Sequence, residues 1–139
     1  MALKLSTPLK NTIVNSVITA IAGTIGTSGT ANVKVYTGTQ PSDADAAATG
    51  SLICTIAGIG YEASTNGSCR MSGTAGDGTK TGTASSDGTA GWACIETITS
   101  AGTMRIDGSV GTAMTSTFWI DSTVVTAGHV VELYDSFLQ

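Results

Sequence analysis

The sequence predicts an all-β domain, an antiparallel sandwich of about seven or eight strands preceded by one amphipathic helix. Three observations carry that expectation. Short runs of alternating apolar and polar residues recur from Asn32 onward, each bounded by Gly, Asn, Asp or Ser. Glycine contributes 18 of the 139 residues, and Thr, Ser and Ala fill much of the remainder, which suits many short strands joined by turns. Only the segment before Gly23 repeats its apolar residues at three and four, the period of a helix face. A chain of this length is one domain, able to bury roughly two-thirds of its unfolded surface without metals or disulfides. It divides into a helix and Gly/Thr-rich linker at 1–31 and a β domain at 32–139.

The helix starts at Thr7-Pro8, where the hydroxyl is placed to cap free amides and Pro occupies a position that needs no donor. Leu9, Ile13, Val17 and Ile21, with Val14 and Ile18 beside them, form its apolar face; Asn11, Asn15 and Thr19 fall on the other side. Gly23 is the expected stop. Its β-branched residues lower intrinsic helicity, so the helix needs a packing partner, either its own sheet or a neighbouring subunit.

Strands are expected at 32–37, 51–57, 61–64, 68–71, 91–99, 103–108, 117–120 and 129–137. Asn66-Gly67 is a hairpin signal because both residues tolerate positive φ, and 100–102 makes a second short turn. Residues 73–90, low in complexity and poor in apolar area, are expected as a long surface loop. On the strand at 91–99, Trp92, Cys94, Glu96 and Ile98 alternate with Ala93, Ile95 and Thr97, and either face can be the inner one. Phe118 and Trp119 are adjacent and point to opposite faces, one into the core and the other to an edge or contact.

Composition narrows the function classes. Asp, Glu, Lys and Arg make up 12% of the chain, against about 25% in ordinary soluble domains. A surface so poor in charge is weakly protected against association, so much of it is expected to be covered by other subunits. The net charge of −4 and the scattered bases offer no stripe for phosphates, so no nucleic-acid partner is expected. Residues 1–23 carry Lys10 and a line of Asn, Ser and Thr, unlike a leader or a membrane span, so no membrane partner is expected and synthesis is placed in the cytoplasm.

Chemistry is thinly supported. Cys54, Cys69 and Cys94 are spaced too widely for a Cys-x-x-Cys site, and Cys54 reads as a small core residue; one internal or inter-subunit disulfide stays open. Asp43 with Asp45, and Asp77 with Asp87, lack the ligand count of a calcium loop, and Thr79 interrupts the phosphate-loop likeness before Lys80. His129, the single histidine, is three residues from Glu132 and so on the opposite strand face; activity would need a pocket and another carboxylate. No metal, no cofactor and no enzymatic activity are expected.

Residues 34–52 combine a strand ending in Tyr-Thr-Gly, the alanine-rich loop Gln-Pro-Ser-Asp-Ala-Asp, and the restart Thr-Gly-Ser-Leu. Later come Gly-Thr-Ala-Gly-Trp at 88–92 and Asp-Gly-Ser-Val-Gly-Thr at 107–112. Together these segments resemble the small structural proteins of tailed bacteriophages. The resemblance implies a virion structural protein, and within that class a capsid decoration or cement protein is favoured. It would partner the major capsid protein or other virion proteins and form a homo-oligomer, a trimer first. A tail, neck or baseplate component is the first alternative and a sugar-binding adhesion module the second. The contacts are expected from the helix residues Ile13, Val17 and Ile21 and from loop residues Gln40, Pro41, Asp43, Asp45 and Lys80.

Overall fold

In the computed structural model the described residues are 4–23, 25, 29–72, 80–100 and 102–138. They form one helix and nine strands: α1 (Thr7–Ala22), β1 (Ala31–Thr37), β2 (Leu52–Tyr61), β3 (Cys69–Ser72), β4 (Lys80–Thr83), β5 (Gly88–Thr99), β6 (Gly102–Gly111), β7 (Phe118–Ile120), β8 (Val124–Val125) and β9 (Val130–Leu138). The strands make one mixed, mostly antiparallel sheet in the order β1-β2-β3-β9-β7-β6-β5-β8, with β4 beside β9. Since β1 also pairs with β5, the sheet curls until its hydrogen-bonded path returns on itself. Only β6 and β7 run parallel among the described pairings.

Strict alternation makes β1 two-faced: Ala31, Val33 and Val35 are fully buried, and the residues between them are not. The inner layer continues through Ile53, Ile56 and Ile59 of β2, Ala93 and Ile95 of β5, Phe118 and Ile120 of β7, and Val131 and Leu133 of β9. Each fully buried aliphatic side chain contributes about 1.5–3 kcal/mol over its exposed state. The open choice on β5 is thus settled, with Ala93 and Ile95 inward and Trp92, Cys94 and Glu96 on the other face.

Several boundaries move. The strand expected at 51–57 runs on to Tyr61 as β2, passing through Gly58 at φ 73° without ending, and the separate strand expected at 61–64 does not form, since 62–64 lie outside any strand. Within the expected loop at 73–90, residues 80–83 form β4 and 88–90 belong to β5, leaving 73–79 outside the described residues. Threonine and glycine gave β4 no apolar alternation to read. It is held by its ladder to β9 and by Gly82, where a Cβ would sit 2.4 Å from the Thr55 carbonyl oxygen of β2. The hairpin at Asn66-Gly67 forms as expected, with φ of 55° and 80° and Thr65 and Ser68 exchanging both backbone hydrogen bonds. Ala101 of the second expected turn lies outside the described residues.

The helix packs on β2 and on the β5–β6 hairpin. Ser6, in extended conformation, precedes it without a side-chain cap, so the capping role expected of Thr7 is not taken up; Gly23 closes it at φ 84°, donating to the Thr19 carbonyl. Val14, Ile18, Ile21 and Ala22 are buried against the sheet. The polar side is equally committed. Asn15 Oδ1 accepts the Ser64 N–H at 2.8 Å, and Asn11 Oδ1 accepts the Gly67 N–H at 2.7 Å and the Ser64 hydroxyl at 3.2 Å. Two asparagines that read as solvent-facing therefore fasten the helix to the 64–67 hairpin.

Replacing both Asn11 and Asn15 with Ala leaves two part-buried amides without acceptors, at about 1–3 kcal/mol each. Urea denaturation should show that loss, whereas Thr12→Ala and Thr19→Ala, whose hydroxyls only bond back to Pro8 and Asn15 carbonyls of the helix, should be near neutral.

Candidate interaction surface

The apolar side of α1 is wider than its contact with the sheet. Successive residues turn by about 100°, so Val14, Ile18 and Ile21 cluster on one line while Leu9, Ile13 and Val17 form a second line beside it. That second line, extended by Leu5, is exposed: 38% for Leu5, 47% for Leu9, 47% for Ile13 and 37% for Val17. Ile13 and Val17 thus stand free as expected for contact residues. Ile21 does not; it is 4% exposed and belongs to the core, because it falls on the line of Val14 and Ile18. Beside the stripe an open groove of about 320 Å³ is lined by Leu5, Lys10, Ile13, Val14, Asn66 and Gly67.

The loop at 38–51 carries four of the other expected contact residues. Gln40, Asp43 and Asp45 are exposed and Pro41 is half-buried. Its crest is an Asx turn, with Asp43 Oδ1 accepting the Asp45 N–H at 2.9 Å and the Asp43 carbonyl accepting the Ala46 N–H at 3.1 Å. Its base is fixed on the outward face of β1, β5 and β6. Trp92, fully buried although it faces away from the main core, stacks on Tyr36 at 4.7 Å and donates its Nε1–H to the Thr49 carbonyl at 3.2 Å. Arg105 stands over the Trp92 ring with Cζ 5.9 Å from its centroid. Its Nη2 donates to the Ala46 carbonyl and to Asp107 Oδ2, both at 3.0 Å. Arg105 Nε lies 2.7 Å from Asp107 Oδ1 as an ion pair that is out of line for a hydrogen bond.

This outer layer shapes the nearby ionisations. A hydrogen bond to Glu96, 2.5 Å away, holds the Lys34 ammonium above its ordinary value against the opposing effect of burial. Burial pushes the Tyr36 phenol up, and it pushes the Cys94 thiol up to about 12, with Glu96 and Asp107 adding to the effect. All three cysteines are buried thiols outside any disulfide, so the internal bridge left open by the sequence is not formed.

Lys80, expected in a contact loop, is the first residue of β4, opposite Leu133, and is 8% exposed. Pairing with β9 turns its stem onto the inner row. The second aromatic grouping divides as expected: Phe118 is buried, and Trp119 faces outward against Tyr134, ring centroids 5.0 Å apart. His129 has a carboxylate partner that sequence spacing did not single out. Its Nε2 is 2.8 Å from Asp121 Oδ2, and Asp121 Oδ1 accepts the Glu132 N–H at 2.8 Å. The nearest signal in the sequence was Asp121 at the end of a Phe-Trp-Ile strand. The pair joins the end of β7 to the start of β9, and the neighbouring Ser122 hydroxyl donates to the Val124 carbonyl at 2.8 Å rather than toward the imidazole. Base and orienting carboxylate are present; an aligned nucleophile is not among their described partners.

Among the described residues no group of three or more His, Cys, Asp or Glu could hold a metal ion, and no helix is long and apolar enough to cross a membrane. No protein-family model, curated protein or solved structure matches the chain.

Because the Cys94 thiol is held above its ordinary value of 9.0, the folded chain retains a proton that the unfolded chain loses. Its contribution to stability is full below pH 9 and is lost as pH rises from there to about 12. Urea unfolding at pH 8 and pH 10.5 should show a smaller alkaline decline for Cys94→Ala than for the parent.

Proposed function

We propose that this chain is a structural protein of a tailed-bacteriophage particle, and within that class a decoration protein laid in many copies over the head shell. The observation that carries the reading is the stripe of Leu5, Leu9, Ile13 and Val17, held outward by a helix that Asn11 and Asn15 fasten to the domain. A helix that served only to cover its own sheet would carry polar residues there. The low charge supports the same reading, since a surface of hydroxyls and small side chains tolerates being covered at little desolvation cost.

In this reading the curled sheet is a sandwich-like body, and the crest at 40–45 touches the major capsid protein. The rigid Trp92 base presents that crest in one conformation, so little ordering entropy is spent on contact. Work at the shell is mechanical. Apolar burial and loop hydrogen bonds, each modest, repeat around the lattice and oppose outward pressure by their number. The Asp121–His129 pair then serves as a structural staple and no reaction is catalysed.

The test is to purify particles, separate heads from tails, and count this chain against the major capsid protein. Hundreds of copies with the heads are expected. A few dozen with the tails would move the protein to the neck, tail or baseplate, and absence from both fractions would overturn the reading. Ile13→Asp with Val17→Asp should leave the circular dichroism spectrum and thermal transition close to the parent while reducing head-bound copies at least about tenfold, the equivalent of about 1.4 kcal/mol or more.

A further inference from the structure

We infer that the α1 stripe of one copy docks on the outward face of β7 and β9 of the next, so that the protein builds its own oligomer before it meets any partner. This goes beyond the particle reading and does not depend on it.

The charges of the chain are segregated. Residues 1–42 contain Lys4, Lys10 and Lys34 and no acid, whereas all ten acids lie from Asp43 onward beside only three bases. Lys34 is already paired with Glu96. Lys4 and Lys10 are exposed at the start of the stripe and, among the described residues, form no ion pair. The start of the stripe is therefore both basic and apolar.

A face of the opposite character lies on β7 and β9. Alternation along β9 turns Val130, Glu132 and Tyr134 outward while Val131 and Leu133 enter the core. Val130 is 51% and Tyr134 36% exposed, and Trp119 of β7 leans on Tyr134. Glu132 sits between the two apolar residues and holds the Tyr134 phenol above its ordinary value through a hydrogen bond. Asp121 is the next acid across, its carboxylate accepting the Glu132 N–H and meeting His129.

The dimensions agree. Leu9 and Val17 are eight residues apart on a helix, about 12 Å. Val130 and Tyr134 are four apart on a strand, about 13 Å. An apolar stripe with ammonium groups at one end thus meets an apolar row of equal length with carboxylates beside it. Within one copy the contact does not form, because α1 packs on β2, β5 and β6 and presents the stripe to solvent. The occupant is therefore a second copy. Two different patches meeting in this way are either reciprocated in a dimer or propagated head to tail, into a ring where the rotation closes and a filament where it does not.

The experiment is charge exchange, read as molar mass by light scattering with sedimentation equilibrium. The parent is expected to be a discrete dimer or ring whose dissociation constant rises with salt. Lys4→Glu with Lys10→Glu gives two acidic patches, and Glu132→Lys gives two basic ones; each variant alone should self-associate at least about tenfold more weakly. Mixed one to one, they restore complementary pairs at every contact of a dimer or even-membered ring, and at all but one contact of an odd-membered ring, and should associate far more tightly than either variant alone, which also shows that both variants are folded. A monomeric parent, variants that associate as the parent does, or a mixture that stays dissociated would overturn the assignment. Head binding by a monomeric parent would sink this contact and leave the particle reading standing; an oligomer absent from particles would do the reverse.

Discussion

Pairing of β1 along both of its edges is the constraint on which the rest of the structure depends. Residues 31–36 pair with β2 and 32–37 with β5, so a seven-residue strand is held along its whole length between two longer ones. With its alternation locked from both sides, a slip of one residue would move Val33 and Val35 out and Lys34 and Tyr36 in. The inner layer and the outer layer are set by the same register. On one side Val33 lies opposite Ile56 and Ile95, and Val35 opposite Cys54 and Ala93; on the other, Lys34 reaches Glu96 and Tyr36 stacks on Trp92.

That outer layer explains how a loop rich in Ala and Asp acquires a fixed shape. Its residues carry little apolar area of their own, so local burial cannot order it. Order comes from two donors below, the Trp92 indole and the Arg105 guanidinium, which satisfy the Thr49 and Ala46 carbonyls. Arg105 is in turn held by Asp107, whose side chain is only 4% exposed. The helix is treated in the same fashion, by side chains that accept backbone N–H groups from a hairpin far away in sequence. In a chain with so few charges, polar anchoring is done by amides, an indole and one guanidinium.

Surface chemistry follows from what those anchors leave over. Fixing the helix through its asparagine side and burying Val14, Ile18 and Ile21 commits two sectors of its circumference, and the third, Leu5 to Val17, faces water. The same alternation that fills the core with Val131 and Leu133 turns Tyr134, Glu132 and Val130 outward. Both patches are by-products of periodicity in elements whose other sides are spoken for. Each is an exposed apolar row with charged residues at its margin.

The sequence by itself determined the mostly-β class with one leading helix, seven of the nine strands to within about four residues, the Asn66-Gly67 turn and the apolar face of the helix. Periodicity and turn chemistry are local, and local pattern is what a sequence displays. It did not show β4 or β8: Lys-Thr-Gly-Thr and Val-Val carry too little alternation, and those strands exist because β9 and β5 offer them edges. Tertiary structure alone decided that Ile21 is core while Ile13 is surface, that Lys80 is turned inward, that Asn11 and Asn15 are anchors, and that Asp121 meets His129. Each of those outcomes rests on which distant or neighbouring segment supplies the partner, from eight residues away for His129 to some fifty for Asn11, Asn15 and Lys80, or on which line of one apolar face meets the sheet. Neither is written in the spacing of residues along the chain.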